Sequence, residues 1–373
     1  MKVLSISTGY PPHGAGGYEL QCRDATEHLR AAGHRVRILS GAGPLAASDA
    51  AEDVHRKLPR FPVVPSRIDV AACRHAEQRA AAVLAHHLDD FRPDVLCLWR
   101  LGELSMSLPA RAAATGVPIV GIVGDPWMID GPQRDPWSRR NGAPPLPESA
   151  RWLFVSEALR RQITAARGAL RHTRVVPPGV DLAAFPYAPA KPWRGRLVYA
   201  GRLSPLKGVD IAIDALAHLP DGTTLDIVGD GPPAYVRRLR HTARAAGVAP
   251  RVRFHGCMPR NRIGAAYSAA DAVLFPVRWP EPFGLVPLEA MACGTPVAGV
   301  AAGGAAGHLR DAETALVVPP ENPPALAVAV ARLAADPALR HRLRRSGRRT
   351  AELHPAARAN QALAAALERV TRR

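Results

Sequence analysis

Two glutamates eight residues apart, Glu281 and Glu289, are the strongest chemical signal in this sequence. Between them, Phe283-Gly284-Leu285 lies where a short apolar run at 271–275 gives way to helical spacing. A helix that begins near Gly284 presents free backbone N–H groups and a positive dipole end, which suit a phosphate. Glu289 would lie roughly 7 Å further along that helix, about the step from a diphosphate to a ribose. The geometry therefore allows one elongated ligand, with ribose at Glu289, diphosphate at the helix start and a third moiety near Glu281. Two solvated surface charges are the alternative interpretation of the glutamates.

A cationic loop at 201–208 follows a strand predicted at 197–200. It carries Arg202 and Lys207, and lysine is rare in a chain whose positive charge is almost all arginine. Two fixed cations at the C-terminal end of a strand suit a diphosphate leaving group, whose negative charge grows as its bond breaks. A solvated basic loop is the alternative.

The residues around the two glutamates, EPFGLVPLEAMACGTPV, resemble the signature of the retaining family 4 glycosyltransferases, in the group of glycogen synthase and phosphatidylinositol mannosyltransferase. The resemblance extends to the GR…K–G element of loop 201–208 and to RVVPPGVD at 174–181. It implies that Glu281 contacts hydroxyls of a donor sugar and that Glu289 binds the nucleotide ribose. It also implies the GT-B fold.

The expected fold is α/β, with two Rossmann-like domains that face a central cleft. Two successive series of strands and helices, each with glycine turns after its strands, agree with this fold, and 373 residues suit two domains. We predict an acceptor-binding domain at 1–185 and a nucleotide-sugar-binding domain at 186–354. The helix at 355–373 is expected to cross back and pack on the N-terminal domain.

The resemblance also implies donor contacts at glycine turns. Gly16-Gly17, at the start of the first helix, would approach phosphate or sugar closely, although an ordinary turn is the alternative. The turn at Gly256 and Cys257 would bracket the base through its backbone. The predicted donor-binding residues are Gly16, Gly17, Gly201, Arg202, Lys207, Gly229, Gly256, Cys257, Glu281, Phe283, Gly284, Leu285 and Glu289. The predicted catalytic residues are Glu281, Arg202, Lys207 and Asp125.

The segment 124–148 is rich in proline, glycine and charge, and it is too long for a simple connector. It leaves a strand predicted at 117–123, so we predict an acceptor-binding loop in which Trp127 or Trp137 offers a flat surface to a ring. A flap with both tryptophans packed on the domain is the alternative. Many family members carry a histidine here, whereas this chain has Asp125, which either binds the acceptor or caps the next turn. His13 is a further acceptor candidate.

One departure from the family pattern concerns the donor side. Family members often have a glutamate three residues after a glycine pair such as Gly303-Gly304, and this chain has Gly307. The departure puts one donor contact in doubt.

The net charge of +17 comes mostly from arginine and indicates a GC-rich genome, with a basic surface for an anionic partner as the alternative. No aromatic-interleaved basic patch favours nucleic acid. The arginines of the helix predicted at 337–350 are expected to form a solvated face, with peripheral membrane contact as the minority interpretation.

Five scattered cysteines without metal-ligand spacing indicate a reducing cytoplasm and no structural zinc. No segment is long and apolar enough to span a bilayer.

The resemblance favours a bacterial, retaining hexosyltransferase of natural-product or cell-envelope glycoside synthesis. It would move a hexose or amino-hexose from a nucleoside diphosphate sugar, a UDP-sugar ahead of a GDP-sugar, to a small or lipid-linked hydroxyl acceptor. No DxD triad stands in a suitable loop, so we expect neither a metal nor another cofactor. The resemblance implies front-face attack by the acceptor. The alternatives are a non-catalytic GT-B partner protein and a GT-B epimerase or phosphorylase.

Overall fold

The computed structural model describes residues 1–12, 16–42, 49–61 and 69–372. The chain divides into two compact units. The first unit comprises Met1–Pro177 and Ala359–Arg373, and the second comprises Pro178–Arg358.

The first unit is built on a seven-stranded parallel sheet in the order β3-β2-β1-β4-β5-β6-β7. Its central strands are nearly continuous apolar runs, as expected of parallel strands covered by helices on both faces. The strands are β1 (Lys2–Ser7), β2 (Arg35–Gly41), β3 (Val54–Leu58), β4 (Val95–Leu98), β5 (Ile119–Val123), β6 (Arg151–Phe154) and β7 (Thr173–Val175). The helices are α1 (Gly17–Ala31), α2 (Val70–Phe91), α3 (Leu108–Ala113), α4 (Trp127–Arg134), α5 (Pro136–Asn141) and α6 (Glu157–Arg167).

The second unit has a six-stranded parallel sheet in the order β10-β9-β8-β11-β12-β13. The strands are β8 (Arg196–Ala200), β9 (Thr224–Val228), β10 (Val252–Gly256), β11 (Ala272–Phe275), β12 (Val297–Gly299) and β13 (Leu316–Val317). The helices are α7 (Val209–Leu216), α8 (Pro233–Ala245), α9 (Arg260–Ala269), α10 (Leu285–Ala292), α11 (Pro323–Ala335) and α12 (Pro337–Glu352). The strand order reverses between β8 and β11, and ligands of open parallel sheets bind beyond the strand ends at such a switch point.

The last helix, α13 (Ala356–Thr371), returns to the first unit. Leu363 and Leu367 lie in a core cluster with residues of the central strands and of α1, among them Val3 and Cys22. Burial of these two leucines in an apolar core holds the C-terminal helix on the N-terminal sheet.

One predicted element differs from the structure. The segment 124–148, which we expected to be a loop, contains α4 and α5. The side chain of Asp135 starts α5 because it accepts a hydrogen bond from the Trp137 N–H at 3.1 Å and another from the Ser138 hydroxyl at 2.6 Å.

The arginines of α12 are only partly the solvated face that we expected. Arg344 donates to the Gly294 and Ala188 carbonyls at 2.6 and 2.7 Å, and Arg348 donates to the Ala292 carbonyl at 2.9 Å. The carbonyls of Ala292 and Gly294 lie at the C-terminal end of α10, where the helix dipole is negative, so these cations stabilise the end of that helix. The exposed members of the set are Arg342, Arg345 and Arg349.

Three negative findings apply to the residues that the structure describes. None of their helices has the length and apolarity that a membrane crossing needs. No group of three or more histidine, cysteine, aspartate or glutamate side chains could hold a metal ion. All five cysteines are free thiols.

Candidate functional site

The loops that follow β8 and β11 are in direct contact at the switch point of the second unit. The backbone N–H of Arg278 donates to the Leu206 carbonyl at 2.9 Å. Gly208 has a φ of 67°, and a Cβ atom there would lie 1.9 Å from the Pro276 carbonyl oxygen. Only glycine fits this position, so the glycine of the GR…K–G element allows the two loops to touch.

Arg278 braces the same two loops through its side chain. Its guanidinium makes a bidentate ion pair with Asp210 at 2.7 and 2.8 Å, and it also contacts the Pro205 carbonyl at 2.8 Å and Glu321 at 3.0 Å. Hydrogen bonding to Asp210 raises the pKa of Arg278 above its ordinary value. Burial raises the pKa of Asp210, but the hydrogen bonds and charge of Arg278 outweigh burial and lower it overall. Sequence reasoning missed this pair because 68 positions separate its members.

Lys207 and Glu281, two predicted catalytic residues, form an ion pair at the end of these loops. Lys207 Nζ lies 2.6 Å from Glu281 Oε2. The indole N–H of Trp279 donates to the same oxygen at 2.7 Å, and Lys207 Nζ lies 5.0 Å from the centroid of the Trp279 ring. The glutamate side chain is only 12% exposed, so the pair is shielded from much of the solvent. Sequence reasoning missed Trp279, although it stands two residues before the glutamate.

The glycine pair at 303–304 holds the backbone of Glu281. The Gly304 N–H donates to the Glu281 carbonyl at 2.7 Å. Gly303 has a φ of 62°, and a Cβ there would lie 2.5 Å from the same carbonyl oxygen. Gly307, where family members often carry glutamate, is exposed, and no described atom lies within 4 Å of its Cβ position.

Helix α10 begins directly after Gly284, as predicted. Gly284 is its N-cap in the left-handed region, with a φ of 87°. The buried His308 ring lies with Nε2 3.1 Å from the Gly284 carbonyl, and burial followed by the charge of His354 lowers the pKa of His308 to about 4. Neutral His308 can therefore donate to that carbonyl and hold the helix start. Phe283 is buried and packs against both histidine rings, so its side chain belongs to the core.

Glu289 lies one turn further along α10. Its Oε2 accepts a hydrogen bond from the Tyr267 hydroxyl at 3.1 Å. Burial, followed by the charge of Glu289, raises the pKa of Tyr267 well above that of an exposed tyrosine, so the hydroxyl keeps its proton. Tyr267 was not among the predicted site residues, because its partner lies 22 positions away on another helix.

Glycine turns bring the ends of β8, β9 and β10 together. The Gly201 N–H donates to the Val228 carbonyl at 3.0 Å, and the Gly229 N–H donates to the Gly256 carbonyl at 2.8 Å. A Cβ on Gly229, whose φ is 137°, would lie 1.9 Å from the Gly201 carbonyl oxygen. The predicted glycines at 201, 229 and 256 therefore lie in adjacent turns.

Arg202 and Cys257 are exposed at these turns. Among the residues that the structure describes, the guanidinium of Arg202 has neither a hydrogen bond nor an ion pair. An exposed cation without an internal partner, in a turn at the switch point, is available to an anionic ligand.

The first unit places Gly16 and Gly17 at the start of α1, where Gly16 is the N-cap. Their backbone therefore lies at the positive end of a helix, as predicted. His13 lies outside the described residues.

Asp125 follows β5 and has both carboxylate oxygens engaged. Oδ2 lies 2.9 Å from Arg100 Nε, and Oδ1 accepts a hydrogen bond from the Trp127 N–H at 3.1 Å. Burial raises the pKa of Asp125, and the charge of Arg100 opposes that shift. Arg100, which sequence reasoning missed, also lies 3.5 Å from Glu19 and 3.7 Å from Glu103. Asp125 therefore caps the start of α4 and is held by an arginine.

The prediction that Trp127 offers a flat surface to an acceptor is wrong. Its side chain is only 2% exposed and packs against Trp152, with the ring centroids 6.2 Å apart. The indole is part of the apolar core of the first unit. Trp137 is half-buried and remains a candidate.

Comparison with known proteins decides the family. The family model "Glycosyltransferase Family 4" matches residues 15–184, and "Glycosyl transferases group 1" matches residues 190–350. The chain is 31% identical over 386 residues to glycogen synthase of Mycobacterium tuberculosis, a match that covers 93% of this chain and 89% of that protein. The chain belongs to the family 4 glycosyltransferases. The predictions of the family and of a hexosyltransferase class are thereby confirmed.

Two further similarities extend this result for the glycosyltransferase. It is 39% identical over 191 residues to D-inositol 3-phosphate glycosyltransferase of Xylanimonas cellulosilytica, a match that covers 47% of this chain and 46% of that protein. This match therefore spans about half the length of that curated relative. The crystal structure of Anabaena Alr3699/HepE in complex with UDP-glucose shares the fold, with a TM-score of 0.77, 23% identity and coverage of 99% of each chain. The predicted GT-B fold is confirmed.

Proposed function

We propose that this glycosyltransferase moves a hexose or amino-hexose from a nucleoside diphosphate sugar to a hydroxyl of a small or lipid-linked acceptor, with retention of anomeric configuration. The observation that carries the proposal is the Lys207–Glu281 pair beside the start of α10, the helix on which Glu289 stands. A single ligand could therefore contact the Glu281 carboxylate, the Lys207 ammonium group, the N-terminus of α10 and the Glu289 carboxylate. The proposed donor is a UDP-sugar ahead of a GDP-sugar, in keeping with the UDP-glucose that HepE binds.

In the proposed mechanism, the second unit binds the donor. The backbone N–H groups at the start of α10 and the cations Arg202 and Lys207 would stabilise the charge that grows on the leaving diphosphate. Glu289 would accept hydrogen bonds from the ribose hydroxyls, and Glu281 would orient the sugar. We propose that these groups, without a metal ion, neutralise the diphosphate. The acceptor oxygen would bond to the anomeric carbon on the face from which the diphosphate departs, as the bond to the diphosphate breaks, and the departing phosphate would take the proton of the acceptor hydroxyl.

The first unit is proposed to bind the acceptor through Asp125 and Trp137. Oδ1 of Asp125 accepts one hydrogen bond and Oδ2 is in an ion pair with Arg100, and each carboxylate oxygen can accept a further hydrogen bond. We propose a cytoplasmic enzyme, in keeping with its five free thiols. The exposed arginines at 342, 345 and 349 of the second unit would allow peripheral contact with an anionic membrane surface.

The first experiment is a thermal-shift panel with UDP, GDP, ADP and dTDP and their sugars, because a ligand that binds the folded state raises its melting temperature.

The second experiment distinguishes the roles of the two glutamates by substitution. Glu281→Ala should lower the transfer rate by about 100-fold or more and leave nucleotide-induced stabilisation intact. Glu289→Ala should weaken nucleotide binding by about 10-fold, the effect of a lost hydrogen bond to a charged group.

Glu313→Ala is the matched control, because Glu313 is an exposed acid of the same unit that pairs only with Arg310 among the described residues. It should behave like the wild type. If Glu281→Ala kept full transfer activity, the assignment of the site would be wrong.

Two outcomes would favour the alternative functions. Epimerisation or hydrolysis of the donor without acceptor would favour the epimerase or phosphorylase, and no thermal shift with any nucleotide would favour the non-catalytic protein.

A further inference from the structure

Glu281 presents its two carboxylate oxygens very differently. Oε2 accepts hydrogen bonds from both Lys207 Nζ and the indole N–H of Trp279, at 2.6 and 2.7 Å. Oε1 makes no hydrogen bond to any residue that the structure describes. Two strong donors fill the lone pairs of Oε2, so Oε1 is the oxygen that remains for a hydroxyl or amine of the donor sugar.

Trp279 contacts both members of the ion pair. Its N–H bonds to the glutamate, and its ring face supports the ammonium group of Lys207 at 5.0 Å from the ring centroid. An indole is a rigid donor with one N–H, so it fixes a partner oxygen more strictly than a long flexible side chain does.

The backbone next to Trp279 is itself held in place. The preceding residue, Arg278, is locked to Asp210 by two hydrogen bonds, and its backbone N–H bonds to the Leu206 carbonyl. The position of the indole is therefore determined by the contact between the loops after β8 and β11.

The geometry points to Trp279 as the positioning residue of this site, an inference that rests on the proposed function. Its N–H holds Oε2 and thereby turns Oε1 of Glu281 towards the donor sugar. When Lys207 turns from Glu281 to the leaving diphosphate, the indole N–H remains on the carboxylate. The glutamate, only 12% exposed, is then not left without a partner, which would be unfavourable.

The test separates the two contacts of the indole. Trp279→Phe keeps the ring face and loses the N–H, whereas Trp279→Leu loses both. Turnover is measured with whichever of UDP-glucose, UDP-galactose, UDP-N-acetylglucosamine and GDP-mannose the wild type accepts. We expect kcat to fall by about 10-fold in Trp279→Phe and further in Trp279→Leu, with KM for the donor and UDP-induced stabilisation nearly unchanged.

Trp193→Phe is the matched control, because Trp193 belongs to the same unit and its ring lies against Arg340, at 5.6 Å from ring centroid to guanidinium carbon. It should leave kcat unchanged. A kcat for Trp279→Phe within about twofold of the wild type would overturn the inference, as would loss of UDP-induced stabilisation together with activity, since that pattern indicates a merely structural role.

A double-mutant cycle shows whether the tryptophan acts through the glutamate. If it does, Trp279→Phe should have little further effect on kcat in a Glu281→Gln background, whereas independent roles would give additive losses.

An NMR spectrum tests the hydrogen bond directly. The indole N–H signal of Trp279 is identified by its absence in Trp279→Phe. This signal should shift in Glu281→Ala and stay in place in Glu313→Ala. An unshifted signal would exclude the hydrogen bond.

Failure of the proposed function has a different signature. In that case the wild type would neither be stabilised by any nucleotide nor turn over any donor. The indole signal would still report whether Trp279 holds Glu281, because that measurement needs no substrate.

Discussion

Glu281 and Asp125 are both carboxylates that follow the C-terminal end of a buried parallel strand, yet their surroundings differ. Glu281 has two donors on one oxygen and none on the other among the described residues. Both oxygens of Asp125 have a protein partner: Oδ2 is in an ion pair with the Arg100 guanidinium, and Oδ1 accepts a hydrogen bond from the N–H that starts α4. Residue type and position therefore predict where a carboxylate lies, whereas its neighbours determine which of its oxygens can bind a ligand.

Aromatic residues next to these carboxylates show the same contrast. Trp279, two residues before Glu281, contacts both members of the Lys207–Glu281 ion pair, whereas Trp127, two residues after Asp125, is buried in the core. In the second unit a family motif identified the carboxylate itself, although not its partners. In the first unit only residue composition was available, and composition does not distinguish a tryptophan that binds a ligand from one that packs.

Among the variants that test this contrast, Trp127→Ala should show the largest effect, a loss of stability. Trp127→Ala should lower the free energy of unfolding by about 4 kcal/mol, because it empties a core position of the first unit. Trp137→Ala, at a half-buried position of the same segment, should have a much smaller effect. Urea unfolding of both variants measures the difference. Unchanged stability of Trp127→Ala with loss of acceptor affinity would restore the original prediction.

The next prediction concerns the free energy of unfolding at acidic pH, and it applies to both units. His87 in the first unit and His308 in the second are buried, and each has a pKa lowered from 6.5 to about 4, chiefly by burial. The unfolded chain binds protons on these residues below pH 6.5, whereas the folded chain does so only near pH 4. Stability should therefore fall as the pH drops from 6.5 to 4, by about 3 kcal/mol for each histidine.

Denaturant unfolding at pH 7 and pH 5 checks this prediction. His87→Leu and His308→Gln should each flatten the loss of stability in acid, while His218→Gln, at an exposed position, should not. Equal acid sensitivity in all variants would show that other groups cause the loss. If only one histidine mattered, the two units would differ in their response to acid.

The smallest effect is expected at Tyr267. Tyr267→Phe removes the hydroxyl that donates to Glu289, and this should weaken nucleotide binding by about fivefold, close to 1 kcal/mol, because the carboxylate loses one of its restraints. Tyr235→Phe is the control, since its hydroxyl faces Asp210 at 3.4 Å. Isothermal titration with UDP compares them. Equal affinity in wild type and Tyr267→Phe would mean that Glu289 needs no support from Tyr267.

Much of the candidate site in the second unit could be predicted from the sequence, because its motif is local. Glu281, Gly284 and Glu289 lie within nine consecutive positions, with Glu281 just before the helix, Gly284 at its start and Glu289 about one turn along it. The glycines after the strands were also predictable, since a turn that packs backbone on backbone excludes a Cβ atom.

The partners of these residues were not predictable. Lys207 meets Glu281 across 74 positions, and Arg278 meets Asp210 across 68. Their pairing depends on strand order, which brings the loops after β8 and β11 together. Arginines of α12 that the sequence suggested were solvated instead satisfy carbonyls at the end of α10, for the same reason.

The sequence by itself determined the parallel α/β class, the family and the two glutamates, because apolar periodicity, glycine turns and a contiguous motif are properties of neighbouring residues. The tertiary structure alone shows which oxygen of Glu281 has no donor among the described residues, that Trp279 donates to the other oxygen, and that Trp127 is buried. Those outcomes arise from contacts between side chains on separate strands and helices, and the spacing of residues along the chain does not encode them.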